Sequence, residues 1–161
     1  MDRDRAAIRA VLAQAKHDLL TYEETAVQLE RIIGLTESQT KAVLNYEKAL
    51  KNSGVKDAQI VKLSDKYASK LLNYRAETIS LTESSNATNQ AWTDYVQDAE
   101  RRGVLPADQY QLRWLATPSD RTCDECMSMN GATGEISTGL VEGTKPPLHP
   151  RCRCVLVVDK K

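Results

Sequence analysis

The chain has 161 residues, 41% of them hydrophobic and 27% charged, and its basic and acidic residues balance to a formal net charge of zero. That length suits one domain, or a helical body with a small module, and the balance argues against a generic polyanion binder. No apolar run approaches the ~20 residues that span a bilayer, and the charged start Met1-Asp2-Arg3-Asp4-Arg5 has no apolar core behind it, so neither a membrane span nor a secretory leader is expected.

Residues 3–20 predict a helix, because Ile8, Leu12, Ala15 and Leu19 fall on one face. Thr21-Tyr22-Glu23-Glu24 has capping-box form and starts a second helix, expected to stop at Gly34. Thr36-Glu37-Ser38-Gln39 repeats the start signal for a helix carrying Val43, Leu44 and Leu50, which ends around Asn52-Ser53-Gly54. A short helix near 57–63 and a longer one near 65–80 follow. Thr82-Glu83-Ser84-Ser85 reads as another start, opening a helix with Ala87, Ala91, Tyr95 and Ala99 on one side. Arg101 and Arg102 complement its dipole, Gly103 ends it, and Pro106 prevents resumption. The Leu-Thr-Glu-Ser stretches at 35–38 and 81–84 share a local signal and are not a domain repeat.

Beyond Pro106 the helical period disappears. Gln111–Leu115 predicts a strand, glycines punctuate the next segment, and Cys154–Val158 predicts a final strand. The expected fold class is therefore α+β: a mainly helical body over 1–105 and a small C-terminal β-module over 106–161. The module carries Cys123-Asp124-Glu125-Cys126, answered by His149-Pro150-Arg151-Cys152-Arg153-Cys154. Two tight clusters of thiol and imidazole donors are the spacing of a tetrahedral structural zinc site, which would staple the module. With no leader to send the thiols to an oxidising compartment, metal ligation is favoured over disulfides.

The expected ligands are Cys123, Cys126, His149 and Cys152, with Cys154 as the alternative fourth. In an extended segment Cys152 and Cys154 face the same side; a turn after Pro150 would instead bring His149 and Cys152 together. Arg151, Arg153 and Lys145 are candidate phosphate contacts, and the two arginines could equally neutralise a thiolate-rich centre. Asp120 reads as a turn or capping residue before the first cluster, His17 as a helix-surface residue, and Trp92 and Trp114 as core or docking residues. No enzyme is expected. A zinc deaminase would need an upstream His-x-Glu, and His17 is followed by Asp18-Leu19. No nucleophile–base pair or phosphate loop is present, so no small-molecule substrate is implied.

Arg113-Trp114-Leu115, Asp120 to Cys126, Asn130-Gly131 and Pro146 to Cys154 together resemble the C-terminal end of the phage head morphogenesis proteins, the Mu F-like minor capsid proteins of tailed phages. Gly34-Leu35-Thr36 with Gln39 and Asn45-Tyr46, and Tyr74 to Ile79 with Thr82-Glu83 and Asn86, are similar to the family's helical blocks, in the family's order. Where the family often has Ala-Arg before Thr-Glu, this chain has Ser80-Leu81. The resemblance implies a single head-morphogenesis domain in a structural minor head protein of the virion. It implies association with the portal vertex or other capsid and connector proteins, a role in head assembly and DNA packaging or delivery, and contact with viral DNA. Localisation would be the virion head, and the host cytoplasm during assembly. The chain starts close to the family domain and stops soon after the cysteines, so neither a long N-terminal region nor an appended toxin or enzyme domain is expected. The alternative is a zinc-containing nucleic-acid-binding regulator, using Lys145, Arg151, Arg153, Lys160 and Lys161.

Overall fold

The computed structural model describes residues 2–119, 121–140 and 143–161, with the side chains of residues 2–4 left aside. The turn role expected of Asp120 lies outside the described residues. The protein is mainly helical, with a three-stranded antiparallel sheet near the C-terminus. It forms two compact units, Met1–Ser80 and Leu81–Lys161.

In the first unit, α1 (Asp2–His17) ends where Leu19 turns left-handed at φ 55° and the Leu20 amide donates to the Ala15 carbonyl at 2.9 Å. A left-handed leucine costs about 1–2 kcal/mol, offset by satisfying an orphan carbonyl. The box that starts α2 (Tyr22–Glu30) is complete: the Glu24 amide donates to Thr21 Oγ1 at 3.2 Å, and the Thr21 amide donates to Glu24 Oε2 at 2.8 Å. Thr36 and Gln39 form the same box at the start of α3 (Glu37–Asn52). Each such cap stabilises its helix by about 1 kcal/mol.

Helix α2 stops before Gly34, contrary to expectation. The Leu29 carbonyl accepts both the Ile32 and Ile33 amides, which turns the chain early and buries Ile33 beside Leu29. Gly34 is not left-handed; its carbonyl accepts a hydrogen bond from the Arg75 guanidinium. Helix α3 does end as predicted, with Gly54 at φ 75° and the Val55 amide donating to Leu50.

The largest departure is α4, one helix from Asp57 to Arg101 where three were predicted. The stretch contains no glycine or proline, so each start signal inside it is free to be absorbed by a helix already running. Thr82, read as a cap, lies mid-helix. The first part of α4 supplies Leu72, Ala76 and Ile79 to a small core with Ala26, Leu29 and Ile33. Ser80, fully buried, donates to the Tyr22 carbonyl at 2.8 Å.

The second unit takes the rest of α4 together with β1 (Tyr110–Leu115), α5 (Asp124–Met129), β2 (Thr133–Gly134) and β3 (Val155–Lys160), in sheet order β2-β1-β3. The period-two pattern of β1 sends Leu112 and Trp114 inward, opposite Val158 and Leu156 of β3. On the other face Arg113 pairs with Asp159 at 2.6 Å. Trp114 is fully buried at the centre of a core with Val96, Ile136, Leu140 and Leu156, and three cysteines, Cys126, Cys152 and Cys154, belong to that same core. Trp92, by contrast, is partly exposed and stacks on Tyr95. The Asn130-Gly131 turn is tied to the end of β1 and the residue after it: Gly131 N–H donates to the Trp114 carbonyl, and Ala116 N–H to Asn130 Oδ1.

Gly134 sits where two backbones meet, and a Cβ there would lie 2.2 Å from the Gly139 carbonyl oxygen. Gly134→Ala is expected to destabilise the second unit by about 1–3 kcal/mol in denaturant unfolding. Gly34→Ala, with open space around it, is expected to stay within about 0.5 kcal/mol of the parent.

Candidate metal centre

Cys123 is the N-cap of α5, and its sulfur accepts the Cys126 amide at 3.4 Å. The first cluster is thus the first turn of a short helix, with Asp124 and Glu125 placed favourably at its start. A cysteine in a cap position followed by two carboxylates was the available sequence signal. The geometry leaves the Cys123 thiol exposed and draws Cys126 into the core.

The second cluster turns at Pro150. The Cys152 amide donates to the His149 carbonyl at 3.1 Å, and Arg151 is left-handed at φ 63°. Proline second and a positive φ third are the requirements of a type II turn. This turn brings the imidazole back over the first cluster. His149 Nε2 lies 3.2 Å from Cys123 Sγ and 3.1 Å from Cys126 Sγ, while Cys126 Sγ lies 3.6 Å from Cys152 Sγ. Two thiolates bound at 2.3 Å to a tetrahedral zinc would be about 3.8 Å apart.

The donors form two overlapping sets, Cys123–Cys126–His149 and Cys126–Cys152–Cys154, each with its atoms within 4.8 Å of one another. Cys126 is common to both. The ring nitrogen His149 Nδ1 is 2.8 Å from the Pro150 carbonyl, which fixes the proton there and turns the Nε2 lone pair toward the sulfurs.

The donors' acidities are shifted in both directions. Burial pushes the Cys126 thiol far up, and the surrounding cysteines add to the effect. Burial also opposes ionisation of Cys152, but the Cys154 and Leu148 amides outweigh it and its pKa falls. The Cys126 amide lowers Cys123. Donation to the Pro150 carbonyl raises His149. Several thiolates cannot coexist in this apolar setting unless a positive charge joins them, and a divalent metal would supply it. At Cys154 burial raises the thiol most, and the Trp114 indole N–H acts in the opposite sense. That nitrogen is buried without a formed hydrogen bond, so it faces the sulfur without completing a bond to it.

Helix α4 holds this ligand segment at two points. The Arg151 amide donates to Thr82 Oγ1 at 3.0 Å, and Asn89 Nδ2, 3% exposed, donates to the Cys154 carbonyl at 3.3 Å. Neither residue was read as part of the site. Thr82 was visible only as a helix start, and a partner 69 positions away leaves no local trace.

Arg151 and Arg153 line the cleft beside the donors, together with Arg121. Lys145 is not among its lining residues; its ammonium donates to Gln90. Lys161, counted in the basic end, pairs with Glu135 at 2.7 Å. His17 is solvent-exposed on α1, as expected. Among the described residues, no helix is long and apolar enough to cross a membrane.

Thr82→Val would leave the Arg151 amide without this oxygen. It is expected to cost the second unit about 1–2 kcal/mol and to weaken metal binding measurably in a competition titration with a chromophoric chelator. Unchanged stability and affinity would remove Thr82 from the site.

No curated protein and no solved structure gives a significant match. The family described as Phage Mu protein F like protein matches residues 6–157. That span contains both capping boxes, α4, the ligand clusters and most of the sheet. The chain belongs to the Phage Mu protein F like protein family, which points to a phage head protein.

Proposed function

We propose that the protein is a structural minor head protein of a tailed bacteriophage. It sits at the portal vertex, contacts portal or other connector proteins, and acts in head assembly and genome packaging or delivery. It works as a folded part rather than as a catalyst. Its second unit is closed by one structural zinc ion held by Cys123, Cys126, His149 and Cys152. Family membership over nearly the whole chain supports the head role. The observation that carries the zinc reading is the convergence of His149 Nε2 on Cys123 and Cys126, with Cys152 beside Cys126. Cys154 packs under Trp114 and is the alternative fourth donor.

A structural role follows from size. The second unit has a two-residue strand and two six-residue strands around a small core. Such modules bury too little apolar surface to be secure alone, and a structural zinc contributes on the order of ten kcal/mol.

One zinc per chain is expected in purified protein. Chelation is expected to unfold Leu81–Lys161 and spare much of the first unit; an unaltered melting curve after zinc removal would sink the staple. Cys126→Ser is expected to abolish zinc binding. His149→Ala is expected to weaken it more than Cys154→Ser does, and the opposite order would exchange the fourth ligand. In purified particles, immunogold labelling and quantitative mass spectrometry should find a few copies at a single vertex. A distribution over the whole capsid would exclude the portal placement.

A further inference from the structure

The four cysteines are not equally reachable. Cys123 is exposed, whereas Cys126, Cys152 and Cys154 are buried in the core. A cleft of about 540 Å³ lies against Cys123, room enough for a small reagent to reach that sulfur. Thiol reactivity follows access as well as ionisation. An oxidant therefore meets Cys123 first.

The fold also selects the partner. Cys126 follows one helical turn later, and its amide donates to Cys123 Sγ at 3.4 Å, which turns that sulfur back over the turn. Cys126 is the one cysteine grouped with Cys123, their donor atoms lying within 4.8 Å; Cys152 and Cys154 belong to the other set. Side-chain rotation can close such a gap to the ~2.05 Å of a disulfide bond. Burial disfavours the ionised form of Cys126, so it acts second, through proximity rather than acidity.

We propose that Cys123 and Cys126 form a dithiol–disulfide couple, with Cys123 as the point of attack for a small disulfide oxidant and Cys126 as the resolving thiol. Cys123 gives up its proton and attacks one sulfur of the oxidant; that S–S bond breaks, and one half leaves as a thiol with the proton. Cys126 then attacks the Cys123 sulfur and expels the second half as a thiol, which takes the Cys126 proton. Two electrons pass from the cysteine pair to the oxidant. The couple regulates the proposed metal centre, and in that respect it rests on the zinc reading: the disulfide withdraws two donors. It also replaces a link across 26 positions, Cys123 to His149, with one across 3, a loop too short to hold the two ligand segments together. Oxidation thus unfastens the second unit.

The test treats full-length, zinc-loaded protein with oxidised glutathione. Thiols are trapped and mapped by mass spectrometry at successive times, and released zinc is followed with a chromophoric indicator. A mixed disulfide is expected first at Cys123, then a Cys123–Cys126 disulfide with loss of one zinc. Thermal unfolding of the second unit should then match that of chelated protein, and a dithiol reductant with added zinc should restore it. In Cys126→Ser the mixed disulfide at Cys123 is expected to accumulate. Cys123→His, which keeps a metal donor at that position, is expected to slow zinc release by about tenfold or more. Where Cys123→His holds no zinc, the order of modification in the parent decides alone. First modification at a buried cysteine overturns the proposal. So does a first disulfide between any other pair, complete resistance to the oxidant, or zinc retained after the disulfide has formed. Protein isolated without zinc that still forms this disulfide keeps the couple and removes the zinc reading, so the two failures are distinguishable.

Discussion

The second unit is organised around a single physical conflict: donors that must carry negative charge to be useful are placed in an apolar core. Cys126, Cys152 and Cys154 are nearly inaccessible and pack with Trp114, Leu112 and Leu156. Apolar burial alone would keep these thiols neutral, and their crowding raises the cost of each further charge. A divalent ion would resolve the conflict, because it would replace protons at the centre and join segments that the small sheet alone would hold loosely. Chemistry and packing are therefore the same structure here rather than a site attached to a scaffold.

The helix supplies what the ion cannot. A tetrahedral ion fixes distances among its donors but not the path of the chain that carries them. Thr82 accepts from the Arg151 amide within the second ligand segment, and Asn89 donates to the Cys154 carbonyl at its end. The Pro150–Arg151 turn contains the first of these anchors and swings the imidazole over the first cluster. First cluster, turn and helix each limit a different degree of freedom, so the donors are held close together by three separate elements.

Short-range chemistry was legible in the residues. Thr21 with Glu24 and Thr36 with Gln39 make caps out of neighbours, while β1 follows from alternating apolar residues and β3 from a β-branched apolar run. The two donor clusters were equally plain, because a metal site demands particular atoms at close spacing. The same locality misled at Thr82. A threonine before an acidic residue can cap a helix, but a helix already propagating from Asp57 has no end to cap there, and the hydroxyl turns to a distant amide instead. The absence of glycine and proline across α4 was the better guide. The basic residues differ in their surroundings. Lys145 and Lys161 stand near the arginines in sequence, yet each is engaged elsewhere, by Gln90 and Glu135. Arg121 reaches the cleft from the loop before the first cluster.

The overlap of the two donor sets on Cys126 has a kinetic consequence. A tetrahedral ion takes four donors, and five are assembled. Were an ion held by donors from both sets, one donor would be left over, linked to the rest through Cys126. A centre with such a spare donor could be firm at equilibrium and still permit rearrangement of its outer ligands.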